Sequence, residues 1–348
     1  MLTLTLRDLQ FRLRQFSIAV IGAALVFAVL LILTGISEGF NTEAEDTVGA
    51  VDVDAWIVPE GVTGPFATVS TLPAGLAGQL RRGEGVRRAA PMVMLAQKLE
   101  RADGELVQIN VLGVQPGAPG APTAEDGENL MASHEAVLDD GTDVGVGDSF
   151  TIGDQRFEAV GQVEDRTYLG GVPVTYVTLR DAQALAFEGQ NLANTIVLRG
   201  EPKRVARGYT SLTNQEVVDD MVRPLDGARQ VIDTVRVLMW VEAAVIIGAV
   251  MYLSALERLR DFAVLKAVGG ESRSLALGLS LQAIIAALIA AIIASVLSVL
   301  LRPLFPVPVT IGVGAYLILA GVALVVGIVA SIAALRRVLK VDPALAFG

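Results

Sequence analysis

The chain has 348 residues, 53% of them hydrophobic, with no cysteine and a formal charge of −10, and its mean hydropathy is +0.56. That hydropathy excludes an ordinary soluble protein and points to a membrane class. The acidity excludes a nucleic-acid partner, which needs Lys and Arg against phosphate, and the lack of cysteine excludes disulfides and thiol chemistry. The charge is unevenly placed: residues 38–236 hold 31 acidic and 16 basic side chains, and the rest of the chain holds 6 and 11. An acidic, water-soluble block therefore sits inside a basic, apolar frame. The expected fold is an α-helical membrane protein with four transmembrane helices and a large α/β extracytoplasmic domain inserted between the first and second.

Residues 1–14 carry Leu2, Leu6, Leu9 and Leu13 at spacings of 4 and 3, a stripe that continues to Phe16, and Arg7, Asp8, Arg12 and Arg14 lie mostly off it. This pattern predicts an amphipathic helix lying in the cytoplasmic interface. Residues 15–37 carry no charge and exceed the ~20 apolar residues that a helix needs to cross hydrocarbon. The apolar run is too long for a signal peptide, and "LTGISEGF" offers no small-residue cleavage site, so an uncleaved anchor is expected.

The block at 38–222 reads as mixed α/β. Strand-like runs appear in "VDVDAWIV", "PMVMLAQKL", "LVQINVLGV", "DSFTIGDQRFEAVGQV" and "VPVTYVTL", separated by Gly, Pro and Asp turns. "AGLAGQLRRG" and "LRDAQALAF" read as helices, and "PGAPGAPTAEDGEN" as a loop. Enzyme chemistry finds little support. His134 is the lone histidine and no G-x-S-x-G elbow accompanies it. Asp139, Asp140, Asp143 and Asp148 cluster among glycines without the calcium-loop spacing, and a solvated acidic turn is expected there. No P-loop signature occurs, so ATP hydrolysis is not expected from this chain.

Residues 223–256 form a stalk and the second span. Leu225, Ala228, Ile232, Val235 and Met239 repeat at 3 and 4, a coiled-coil-like seam beginning just after Pro224. The spacing predicts an unbroken rod and a stalk or dimer seam. Continued inward, it reaches Glu242, then Ile246, Ala249, Leu253 and Leu256. A carboxylate inside a span is expensive unless it faces an interior or a partner. Two readings stay open for Glu242: a substrate or proton contact together with Met239, or an interhelical hydrogen bond to Ser295 or Ser298.

Residues 257–273 are charged between apolar spans. On a helical wheel Leu256, Leu259, Phe262, Ala263 and Ala267 fill one side, while Val264, Leu265 and Val268 interrupt the polar one. An interfacial helix needs a single apolar face, so the second set suits a cytoplasmic protein partner. The plainer alternative is that these charges only fix topology. Gly269 and Gly270 can end the helix. Spans three and four are expected at 274–301 and 312–335, joined by a short Pro-rich outer loop at 302–311, with a tail at 336–348. Arg and Lys cluster before span one, between spans two and three, and after span four. Both termini are thus expected in the cytoplasm and residues 38–236 outside the cell or inner membrane, with Arg302 as the exception.

"ERLRDFAVLKAVGG" resembles the charged stretch after the second span of the MacB/FtsX-like (type VII) permeases of ABC transporters, of the form E-R-x-R-x-x-A-x-L-K-A-x-G. "GVGDSFTIGDQRFEAVGQV" and "VTYVTLRDAQAL" resemble segments of that family's outer domain, and "RRVLKVDPALAFG" resembles its C-terminal ending. The resemblance implies a homodimeric permease working with two copies of a separate cytoplasmic ABC ATP-binding subunit, which would hold the ATP and Mg. Glu257, Arg258, Arg260, Asp261, Phe262, Leu265, Lys266, Gly269 and Gly270 would then couple to that ATPase. No cofactor, metal or catalytic residue is expected in the chain itself. The expected function is export of a hydrophobic or amphipathic molecule, drug-like, lipid-like or haem, by ATP-driven mechanotransmission. Haem would need ligands such as Met239 and Glu242. The alternative is a mechanotransmitter that regulates an extracytoplasmic partner such as a cell-wall hydrolase.

Overall fold

The computed structural model describes residues 13–68, 70–257, 264, 272–305, 307 and 309–339. Its contacts divide the chain into an inserted unit, Phe40–Asp226, and a unit built from the flanking segments. Helix α1 spans Leu13–Ala50, well past the expected end of the first span. Its last turns stay helical because Glu43, Ala44, Thr47 and Val48 repeat at helical spacing and are all buried.

In the inserted unit, strands β1 (Ala55–Pro59), β12 (Thr195–Arg199) and β13 (Tyr209–Leu212) join β3 (Arg88–Glu100) in the antiparallel order β13-β1-β12-β3. Alternation places Ala55 and Ile57 in one core and Trp56 and Val58 in the other, so this sheet is covered on both faces. Strand β3 then enters a closed circuit with β4 (Leu106–Val114), β10 (Val172–Thr178), β6 (Glu135–Asp139), β8 (Gln155–Val163) and β7 (Ser149–Ile152). Each neighbour pairs in turn, and β7 returns to β3 through Leu99 and Ile152, while the two-residue strands β2 (Leu72–Pro73) and β11 (Leu192–Ala193) pair with each other, β5 (Asp126–Gly127) with β8 and β9 (Thr167–Tyr168) with β10. Closure leaves that circuit without a free edge. Leu99, Ile109, Leu138, Phe150, Ile152 and Phe157 share its core, with the Phe150 and Phe157 rings stacked 5.8 Å apart.

Short helix α2 (Leu76–Leu80) and helix α3 (Leu179–Phe187) cover one side. Thr178 caps α3 by accepting from the Asp181 amide. Helix α4 (Asn214–Val222) starts with a capping box between Thr213 and Glu216 and packs Val217, Val218 and Met221 into the same core as Ala44 and Val48 of α1. A 3₁₀ turn at Arg223–Leu225, with Pro224 in it, separates α4 from helix α5 (Asp226–Glu257), which runs as one helix from there through the second span.

The second unit holds α1 as far as Gly39 with α5, α6 (Ser272–Leu301) and α7 (Val313–Leu339). Among the described residues, four helices are long and apolar enough to cross a membrane. Their core is rich in small residues: Ala283, Ala287, Ala290 and Ala294 of α6 face Ala315, Ala323 and Ala330 of α7. Small residues let helix backbones approach closely in lipid. At Gly327 a Cβ would sit 2.7 Å from the Ile284 Cα, so only glycine allows this crossing. Ser280 Oγ and Ser331 Oγ meet 3.2 Å apart between the same two helices.

Candidate functional site: the open face of the second span

Helix α5 has buried residues only from Ala243 onward: Ala243, Ile247, Gly248, Met251, Ser254 and Ala255. These repeat at helical spacing and face the membrane unit's core, where Gly248 lies against the Ala330 backbone. No residue from 226 to 242 is buried. On the opposite face, Val231, Val237, Leu238, Val241, Val245 and Leu253 each leave more than half of their surface exposed. In the most apolar stretch of the second span 22% of residues are buried, against 56% in the first.

Of the seam residues, Ala228 is exposed, and Leu225, Ile232, Val235 and Met239 are half-buried. The buried face of α5 runs one residue later than the seam's inward extension: Ala243 and Ile247 are buried, whereas Glu242 and Ala249 are exposed. Glu242 makes no hydrogen bond or ion pair among the described residues. The two serines that could have met it are engaged within their own helix. Ser295 Oγ donates to the Ala291 carbonyl (2.8 Å) and Ser298 Oγ to the Ser295 carbonyl (2.9 Å). An acid at this depth needs a partner, and a single copy of the chain supplies none among the described residues.

Glu257 is exposed at the end of α5. Arg258, Arg260, Asp261, Phe262, Leu265, Lys266, Gly269 and Gly270 lie outside the described residues, as do the N-terminal stripe before Leu13 and the tail from Lys340. Val264 is described and exposed.

In the inserted unit the acidic turn is internally satisfied. Asp139 accepts from the amides of Gly141 (3.0 Å) and Arg166 (2.6 Å), Asp143 pairs with Arg101 (3.0 Å), and Asp148 accepts from Gly145 (3.1 Å). Burial raises the Asp139 carboxyl above its ordinary range against those two bonds. No group of three or more His, Asp or Glu side chains among the described residues could hold a metal. His134 sits in left-handed backbone at φ 66°, donates its amide to Asp181 (3.0 Å) and packs on Phe157, a structural role. Burial pushes the Tyr176 hydroxyl up to about 12. The Gly200 amide, and then Arg87 and Arg199, hold Asp54 low.

Three buried carboxylates escaped the sequence reading: Glu43 of α1, Asp181 of α3 and Asp220 of α4. Asp220 sits in a helix that the Thr213–Glu216 capping box does mark. No local signal marks Glu43, because its partners lie far along the chain.

The profile described as MacB-like periplasmic core domain matches residues 17–215, and the profile described as FtsX-like permease C-terminal matches residues 234–343. An uncharacterized ABC transporter permease of Mycobacterium tuberculosis is 40% identical over 348 residues, covering 100% of this chain and 99% of that protein. A putative hemin transport system permease protein of Staphylococcus haemolyticus is 23% identical over 139 residues, 39% of this chain and 40% of that one. The periplasmic region of MacB from Actinobacillus actinomycetemcomitans aligns with a TM-score of 0.37 at 12% identity, covering 49% of this chain and 92% of that structure. The chain belongs to the MacB/FtsX-like family of ABC transporter permeases, membrane subunits that act with an ATP-binding partner.

Proposed function

We propose that this chain is the permease of an exporter for a hydrophobic or amphipathic molecule, driven from the cytoplasm by a separate ATPase present in two copies. Both termini and the 257–273 segment face that ATPase, and the inserted unit lies on the far side of the membrane. Two copies of the chain pair through the open face of α5. The observation that carries this reading is Glu242: a carboxylate at span depth, on an apolar exposed face, with no partner in its own chain among the described residues. Hydrocarbon is a poor solvent for it, and a second copy or a polar group of the cargo is a good one. ATP-driven closure moves the two α5 rods, and the rods move the inserted units.

Haem is one cargo to be tested on Met239 and Glu242, which lie one turn apart; the Staphylococcus haemolyticus relative is named for hemin transport. The test is reconstitution of the full chain with its ATPase in proteoliposomes, reading ATP-driven movement of fluorescent amphiphiles. Glu242→Gln should lower transport roughly 10- to 100-fold, the weight of one charge-assisted contact. Arg258→Ala and Phe262→Ala should leave insertion intact and lower transport per ATP hydrolysed. Amphiphile movement that is unchanged in Glu242→Gln removes its role at the site. ATP hydrolysis with no movement of any amphiphile removes the exporter reading. Haem added to the purified chain without a Soret shift removes haem as cargo.

A further inference from the structure

The inserted unit has two roots, the end of α1 and α4, and each carries a buried carboxylate held by a loop. Glu43 accepts from Thr167 Oγ1 (3.0 Å) and from the amides of Gly170 (2.8 Å) and Gly171 (2.8 Å). Both glycines have positive φ, 83° and 76°, which turns successive N–H groups toward one anion. One turn on, the Thr47 hydroxyl reaches the Thr167 carbonyl (2.7 Å). Asp220 accepts from Thr63 Oγ1 (2.7 Å) and from the amides of Phe66 (3.2 Å) and Ala67 (3.0 Å). This second loop closes on its carboxylate because residue 64 is glycine: a Cβ there would sit 2.3 Å from the Asp220 carboxyl.

The two loops touch through their aromatic rings. Phe66, from the loop held by Asp220, lies 5.8 Å from Tyr168, from the loop held by Glu43, and 6.0 Å from Trp56. Trp56 in turn donates its Nε1 to Asn214 at the start of α4 (2.7 Å). Burial and then the nearby Asp220 charge raise the Tyr168 hydroxyl above its usual range, as expected of a ring inside this assembly.

We infer that Glu43 and Asp220 are positioning residues that act as one linked lock. Glu43 fixes α1 to the 167–171 loop, Asp220 fixes α4 to the 63–67 loop, and the Phe66–Tyr168 contact joins the two. The unit's two roots then hold one fixed spacing. The mechanical use of that lock rests on the transmission reading above; the lock itself does not.

Hydrogen–deuterium exchange of the full chain in nanodiscs tests it. Glu43→Gln should speed exchange at Gly170 and Gly171 roughly 10- to 100-fold, the loss of charge-assisted bonds. It should also speed exchange at Phe66 and Ala67, which it does not touch, and Asp220→Asn should do the reverse. Phe66→Leu should abolish this cross-talk while both loops stay protected. Changes confined to each carboxylate's own loop would overturn the proposal. If either variant also exposes β6 and β8, Thr167→Val and Thr63→Val, each removing one donor, replace them with the same expectation of cross-talk. In the ATPase complex, Glu43→Gln should lower transport per ATP hydrolysed. Cross-talk with that ratio unchanged keeps the lock and removes the transmission reading.

Discussion

Helices α1 and α5 both connect the membrane unit to the inserted unit, and they are built in opposite ways. From residue 30 to residue 40 α1 exposes nothing fully. Past its middle it is pinned by the loop before α7: Thr310 donates to the Gly35 carbonyl (2.9 Å) and Gly312 to Glu38 (3.1 Å). Its exposed stripe, Ser17, Ile18, Ile21, Leu25 and Val29, is apolar apart from one hydroxyl and suits lipid. Helix α5 is unburied over 226–242 and carries Glu242 on its open face. The contrast teaches that exposure alone does not mark an interaction surface in a membrane protein. A polar group that lipid cannot satisfy, on an otherwise apolar face, does.

The sharpest way to break this contrast is to truncate equivalent apolar side chains on the two helices. Phe27 of α1 is fully buried, and Phe27→Ala should destabilise the purified chain by about 3–4 kcal/mol. Leu238→Ala on α5, measured by the same denaturant unfolding at dilution that keeps single copies, should change stability by less than about 0.5 kcal/mol. Similar losses from both would contradict the asymmetry. Next in size is Gly35→Val: a Cβ there would sit 2.5 Å from Ile311 Cγ1, and overpacking should cost about 1–3 kcal/mol and loosen the pin on α1. Protease nicking of the 302–312 loop would report that loosening.

A smaller effect comes from pH. Tyr176 shares a core with Val48 of α1 and is pushed up to about 12 by burial. The folded state therefore holds that proton more tightly than the unfolded chain. Its contribution is fully present below pH 10 and is lost as pH rises from 10 toward 12, weakening the inserted unit by roughly 1–2 kcal/mol. Tyr176→Phe should flatten that part of an alkaline unfolding curve followed by circular dichroism. An unchanged slope would place the loss elsewhere.

The sequence made the spans plain because lipid demands long uninterrupted apolar runs, and "VPVTYVTL" or "LVQINVLGV" declare strands by their β-branched content. Closure of the barrel was not legible. It depends on the parallel pairs β4–β10 and β6–β8 and on β7 returning to β3, contacts between segments far apart in the chain. "EAVLD" and "TIVLR" are too short to stand out, yet they are β6 and β12. The extension of α1 to Ala50 was hidden because Glu43 looks solvent-seeking until Gly170 and Gly171 are seen around it. The heptad-like seam at 225–239 is a spacing, and spacing alone does not say what covers a face. In one copy of the chain Leu225, Ile232, Val235 and Met239 are half-buried and Ala228 exposed, while Ala243 and Ile247 farther along α5 are buried.

In the proposed dimer the open face of α5, and not the apolar stripe of α1, meets the second copy. The chain has no cysteine, so single-cysteine variants report cleanly. Oxidative cross-linking of Val231→Cys and Leu238→Cys in native membranes should give covalent dimers, while Ile21→Cys and Leu25→Cys on α1 should stay monomeric. Dimers from the α1 positions with none from α5 would contradict the account.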